Sequence, residues 1–128
     1  MADEVGSWST EEVPDEDNLW MRVHKNNMDN GELRPGAFRN LPNKKTDGMS
    51  TDWAKYATAQ ETRDRASVPQ DNAVIRLNVG EVRKIRDQTV VHTPDIARRN
   101  RAHTDVYGEK HPQARLLLNR TATIVISL

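Results

Sequence analysis

Two histidines and one aspartate have side chains suited to metal binding or proton transfer. His103 and Asp105 are two residues apart, so in a strand over residues 102–107 both side chains project from one face. His92 lies in another predicted strand, which could place its imidazole beside them. Such a group could bind zinc in a metal-assisted hydrolase, or Asp105 could orient His103 as a general base. The alternative is that the imidazoles lie apart, and since no tight metal-binding spacing is present we predict no metal and no other cofactor.

A basic segment, residues 76–101, could bind phosphate groups. It contains seven cationic residues and three acidic ones. The cationic residues are Arg76, Arg83, Lys84, Arg86, Arg98, Arg99 and Arg101. Guanidinium groups fork onto phosphate oxygens, and such contacts give affinity for a polyanion without selecting a base sequence. The alternative is an ordinary solvated surface.

Arg22, Ser50 and a later glutamate form a third set of candidate residues. Arg22 lies in the first predicted strand, Ser50 follows a long loop, and the glutamate is Glu61 or Glu109. A purely structural explanation exists for each of them. Arg22 could lie on an exposed strand face, Ser50 in a turn, and Glu61 in a capping box that begins at Thr58.

The order of these residues resembles that of the functional residues in ADP-ribosyltransferase-like folds and in RES-type NAD-degrading toxins. The matching stretches are Leu19–Val23 and Met49–Asp52. The resemblance implies an NAD-handling or ADP-ribosyl-transferring enzyme in which Arg22 grips the dinucleotide phosphates and the glutamate stabilises the developing ribosyl cation. It also implies a cleft where the three side chains converge, with Trp20 or Trp53 available to stack on the nicotinamide or adenine.

A broader resemblance covers most of the chain. Four blocks, Leu19–His24, Met49–Arg65, Val79–Ile85 and Ala102–Lys110, resemble a family of small single-domain bacterial proteins to which no activity is assigned. This resemblance implies a bacterial protein with one domain, and it implies nothing about mechanism.

The composition limits what can position these side chains. A length of 128 residues is typical of one domain, and Val, Leu, Ile and Phe together number only 25, so we expect a small core. The absence of cysteine excludes disulfide scaffolds and thiolate sites. No apolar run approaches the roughly 20 residues of a membrane span, and the N-terminus lacks signal-peptide features, so we expect a soluble cytoplasmic protein with no membrane partner.

The periodicity of apolar residues predicts clustered strands and two short helices. Strands are expected over residues 19–24, 73–79, 89–93, 102–107 and 122–128, each with alternating side chains. Helices are expected over about 59–66 and 112–119, residues 33–48 are mostly loop, and 81–85 fits a helical turn or a strand equally well. The sequence therefore predicts an α+β fold: a small, mostly antiparallel sheet with two short helices and long irregular loops.

The charge is distributed unevenly along the chain. Residues 1–18 contain seven acidic residues and no Lys or Arg, whereas residues 19–128 carry 19 basic and 12 acidic residues. We therefore divide the chain into an acidic tail (1–18) and one domain (19–128). Acidic tails of this kind are more often solvated solubility tails; to become ordered, this one would need a partner surface, for which the basic face of the same molecule is a candidate. The leading hypothesis is an accessory protein that binds a protein or a polyanion such as nucleic acid through the basic segment. The sequence leaves the oligomeric state open.

Overall fold

The computed structural model describes residues 8–41 and 48–128. The first seven residues of the predicted acidic tail and the predicted turns within 42–47 lie outside the described residues. The strands are β1 (Asn18–His24), β2 (Met28–Asp29), β3 (Glu32–Leu33), β4 (Met49–Trp53), β5 (Asn72–Asn78), β6 (Thr89–His92), β7 (His103–Tyr107) and β8 (Thr123–Ile126). The helices are α1 (Ala59–Asp64), α2 (Val79–Arg83) and α3 (Pro112–Thr121).

Six of the strands form one antiparallel sheet in the order β6-β7-β4-β1-β5-β8. The two shortest strands, β2 and β3, pair separately as a hairpin. The predicted small α+β fold with a mostly antiparallel sheet is confirmed. Within the described ranges, no helix has both the length and the apolar character needed to cross a bilayer.

Four elements differ from the sequence-based expectation, which assigned no strand to the residues of β2 and β3. The sequence analysis predicts no strand over residues 49–53, where β4 lies near the centre of the sheet. Helix α2 matches the helical alternative for residues 81–85 but begins earlier, at Val79, the last residue of the predicted 73–79 strand. Asn78 causes this switch because its side chain accepts a hydrogen bond from the backbone N–H of Glu81 and caps the new helix.

The capping box predicted at the start of α1 is present. The Thr58 hydroxyl accepts from the N–H of Glu61 at 3.1 Å, and the Glu61 carboxylate accepts from the N–H of Thr58 at 2.9 Å. Two of the free N–H groups at this helix end are thereby satisfied. The predicted helix over 112–119 is also present, with Pro112 in its first turn and the His111 side chain as its cap.

The apolar core lies on one face of the sheet. Leu19, Met21 and Val23 of β1 point to this face and pack with side chains of α2 and α3, among them Val82 and Leu118. The alternate residues of β1 point to the other face, where the backbone carbonyl of Thr62 in α1 accepts a hydrogen bond from Arg22. The second face therefore remains polar and is only partly covered.

The described part of the acidic tail packs against the domain. Val13 is 3% exposed and belongs to the core, and the Asp17 carboxylate accepts a hydrogen bond of 2.8 Å from the Trp53 indole. Arg83 donates to the carbonyl of Val13 and forms an ion pair with Asp15 at 2.7 Å. For residues 8–18 the partner surface is thus supplied by the same chain.

Candidate functional site

The strand register places four polar side chains on the same face of the sheet. Trp20 of β1 pairs with Asp52 of β4, and Asp52 pairs in turn with His103 of β7. Paired residues in an antiparallel sheet share a face, and so do residues two apart in one strand. Arg22, two residues after Trp20, and Ser50, two residues before Asp52, therefore join His103 on this face.

An open cleft of about 1310 Å³ lies over this face. Its walls come from the central strands, from α1 and from the loop that links β6 to β7. Among the residues that line it are Trp8, Trp20, Arg22, Ser50, Arg98 and His103. A cleft of this size exceeds the 300–1,000 Å³ that is typical of small-molecule sites, so it has room for an extended ligand.

Ser50 and His103 form a hydrogen-bonded pair whose proton positions follow from their neighbours. The Nδ1 of His103 lies 3.0 Å from the carbonyl oxygen of Thr93, which can only accept, so Nδ1 carries the proton. The Nε2 of the neutral ring is then unprotonated and lies 3.3 Å from the Ser50 hydroxyl, which donates to it. His103 is thus oriented as a base toward the cleft.

The buried carboxylate of Asp105 is connected to the Nδ1 side of His103, the side away from Ser50. The Thr93 hydroxyl lies 3.0 Å from His103 Nδ1 and donates to Asp105 at 2.8 Å, so it links the imidazole to the carboxylate. Asp105 is 0% exposed, and its other oxygen has no hydrogen-bond partner among the described residues. Gly48 approaches so closely that a Cβ there would lie 2.7 Å from the Asp105 carboxylate. Asp105 is therefore linked to His103 through Thr93, and its role in orienting the imidazole stays a prediction.

Arg22 is a cation with no ion-pair partner among the described residues. One guanidinium nitrogen donates to the Thr62 carbonyl at 2.9 Å. Desolvation lowers the pKa of Arg22 from its usual value, and the charge of Asp52 opposes this shift. Since arginine remains protonated in proteins, its positive charge faces the cleft without a direct ion pair among the described residues. This is the electrostatic environment that an anionic ligand requires.

Asp52 lines the cleft, although the sequence analysis did not single it out as a candidate residue. Three neighbours hold its carboxylate in place. Its carboxylate accepts from the Thr62 hydroxyl at 2.7 Å and from the Asn100 amide at 2.8 Å, and the Arg65 guanidinium lies 4.0 Å away. The position of Asp52 two residues after Ser50 was the available signal, because a strand would place both on one face. That signal was missed because β4 was not predicted.

The two candidate glutamates lie elsewhere. Glu61 is exposed at the start of α1, where its carboxylate is used in the capping box, and Glu109 is exposed after β7. Neither is among the described residues that line the cleft. The resemblance implied that Arg22, Ser50 and a glutamate converge in one cleft. The structure brings Arg22 and Ser50 together there, but neither glutamate.

His92 does not join His103 and Asp105. It pairs with Thr104, so its side chain points to the opposite face of the sheet from theirs. His92 is 1% exposed; its Nδ1 accepts from the N–H of Glu11, and its Nε2 donates to a carbonyl at 2.7 Å. No cluster of three metal-ligating side chains occurs in the described ranges. The predicted grouping of these three residues is therefore wrong.

Trp53 is also unavailable to a ligand. It is 1% exposed in the core, and its indole N–H is bonded to Asp17. Trp20, the other predicted stacking residue, lines the cleft and donates its indole N–H to the Ala57 carbonyl at 2.8 Å.

Most cations of the basic segment are paired with nearby carboxylates. Arg83 pairs with Asp15, and Arg101 lies 3.7 Å from Glu11. The other pairs are Lys84 with Glu81, Arg86 with Asp87, and Arg98 with Asp95. Within the described ranges, only Arg76 and Arg99 of the seven have no ion-pair partner, so little of the segment's positive charge lies without a nearby carboxylate.

No protein-family model matches the chain, and comparisons with curated proteins and with solved structures gave no match. The function must therefore be inferred from the side chains in the cleft.

Proposed function

We propose that the protein is an NAD-handling enzyme that binds the dinucleotide in the cleft and transfers its ADP-ribosyl group to a hydroxyl acceptor, water included. One observation carries the proposal: Arg22, Ser50 and His103 share one open cleft, with a proton-accepting nitrogen aimed at the serine. An unpaired arginine for phosphates beside a hydrogen-bonded Ser–His pair is suited to group transfer from a phosphorylated ligand.

Arg22 would bind the diphosphate. Its guanidinium has no ion-pair partner among the described residues and is already oriented by the Thr62 carbonyl. A guanidinium can contact two phosphate oxygens at once, which fixes the orientation of the ligand as well as its position. Arg39, which also has no described ion-pair partner, lines the same cleft and would add positive charge.

The reaction would break the bond between ribose C1′ and the nicotinamide nitrogen. Nicotinamide leaves with the electron pair of that bond, and the ribosyl cation is captured by the oxygen of the acceptor. The acceptor proton passes to Nε2 of His103, directly or through the Ser50 hydroxyl. Asp52 would stabilise the developing ribosyl cation, the role that the resemblance gives to a glutamate. It is a carboxylate that lines the cleft, and its charge reaches Arg22.

The test is nicotinamide release from NAD by the purified full chain, followed by proton NMR. We expect release by the wild type and a loss of at least tenfold in Arg22→Ala, since a hydrogen bond to a charged group contributes about 1.5–3 kcal/mol. Arg86→Ala is the matched control, because its side chain is 88% exposed. It should behave like the wild type.

The Arg86→Ala variant also distinguishes this proposal from the other hypothesis. That hypothesis, binding of a partner through the basic segment, remains a prediction. Equal losses in Arg22→Ala and Arg86→Ala would favour a diffuse basic surface over a site in the cleft. Absence of nicotinamide release and of NAD binding by the wild type would contradict the proposal.

A further inference from the structure

The N-terminal segment reaches the cleft. Trp8 and Thr10 line it together with Arg22, Ser50 and His103, although they precede the sheet in sequence. Trp8 is partly exposed. Besides Trp20 of β1, the cleft therefore has a second indole, which the N-terminal segment supplies.

Glu11 anchors this segment at a point three residues after Trp8. Its carboxylate accepts from Lys55 at 2.8 Å and from the Tyr56 hydroxyl, and the Arg101 guanidinium lies 3.7 Å away. Its backbone N–H donates to the buried ring of His92 at 3.1 Å. Four partners from three parts of the chain fix one residue, which is far more than an acidic solubility tail requires.

The segment is also fixed beyond Glu11. Val13 lies in the core, and its carbonyl accepts from Arg83 at 2.6 Å. Three residues of chain span at most about 10 Å, so anchors at Glu11 and Val13 confine Trp8 to the neighbourhood of the cleft.

We propose that Trp8 is a specificity-determining residue that stacks on an aromatic ring of the bound nucleotide, and that Glu11 is the residue that positions it. This inference rests on the proposed function. Arg22 recognises the anionic part of the ligand and Trp8 the planar part. An indole offers a large stacking surface at low entropic cost.

The test compares two ligands in isothermal titrations of the full chain: NAD, and inorganic pyrophosphate, which has the anionic charge without a ring. Trp8→Ala should weaken NAD binding by about tenfold, the order expected for loss of one stacked base, and leave pyrophosphate binding unchanged. Trp8→Phe, which keeps a ring, should restore most of the affinity. Glu11→Gln should weaken NAD binding and spare pyrophosphate.

Arg22→Ala separates this inference from the proposed function, because it should weaken both ligands. Unchanged or tighter NAD binding by Trp8→Ala would overturn the inference alone, the tighter case showing that Trp8 occupies the site rather than lining it. An equal loss of both ligands in Trp8→Ala would also overturn it. Failure of the wild type to bind NAD would overturn both proposals.

Discussion

At the scale of single residues, the cleft combines an unneutralised charge with an oriented base. Arg22 has a carbonyl acceptor but no ion-pair partner among the described residues, whereas Arg65 and Arg98 lie beside Asp52 and Asp95. His103 donates from Nδ1 and therefore presents Nε2 to Ser50. The two residues thus have separable roles, one in binding and the other in proton transfer.

The first prediction separates these roles by steady-state kinetics. His103→Gln should lower kcat by about 10²–10⁴, the usual contribution of a general base, with little change in KM for NAD. Arg22→Ala should mainly raise KM. If His103→Gln raised KM and left kcat intact, His103 would be a binding residue and the proposed proton transfer would be wrong.

Lys110, like Arg22, is a cation that is held by oxygen acceptors rather than by a described carboxylate, but its role is structural. Its buried ammonium donates to Asn40 and to the carbonyls of Val106 and Gly108, at 2.6–3.1 Å. Burial lowers the pKa of Lys110 to about 8. The ammonium group ties the loop at Asn40 to the end of β7.

The second prediction concerns this lysine. Lys110→Met should lower the free energy of unfolding by about 1–3 kcal/mol, because it leaves buried oxygen acceptors without a donor. Urea denaturation measures the change. Lys84→Met, at a side chain that is 75% exposed, is the control and should have little effect. Equal stabilities for the two variants would show that the three contacts of Lys110 are not significant.

At the scale of elements, strand register decides which side chains meet. Alternation alone predicted that Arg22 lies opposite the core face of β1, and that His103 and Asp105 share a face of β7. It could not assign His92, since only the pairing with Thr104 determines which face that residue occupies. Asp52 was missed because the sequence analysis assigned no strand to residues 49–53, now seen as β4.

The third prediction concerns the N-terminal segment. Hydrogen bonds from Lys55 and then Tyr56 lower the pKa of Glu11 below 4.5. A carboxyl group whose pKa is lower in the folded state stabilises that state above its unfolded pKa, and this contribution disappears as pH falls through the folded pKa. The contacts of Glu11 should therefore weaken as pH falls through this lowered pKa. Tryptophan fluorescence should show a transition there that Glu11→Gln lacks, and identical titrations of both proteins would contradict the anchor.

At the scale of the whole molecule, part of the charge asymmetry of the sequence is neutralised within the chain. The acidic segment folds onto the domain, where Asp15 and Glu11 meet Arg83 and Arg101. The sequence analysis favoured a solvated tail, whereas residues 8–18 pack against the domain. It could not show which surface, because charge segregation along a chain does not specify distances in the fold. Positive charge without a carboxylate partner remains at Arg22 and Arg39 in the cleft.

The fourth prediction tests whether this segment belongs to the folded unit. Val13→Ala should lower the free energy of unfolding by about 1–3 kcal/mol, because it removes methyl groups from a side chain that is 3% exposed. Val91→Ala, at a side chain in β6 that is 38% exposed, is the matched control and should cost less. If only the Val91 variant were destabilised, the segment would not be part of the cooperative fold.

The central claim is that the cleft over β1, β4 and β7 binds a dinucleotide. A crystal structure of the full chain with ADP-ribose tests it most directly. The account predicts diphosphate oxygens within hydrogen-bond distance of the Arg22 guanidinium and ribose C1′ facing Ser50 and His103. Ligand bound along the basic segment outside the cleft, or no bound ligand at saturating concentration, would contradict it.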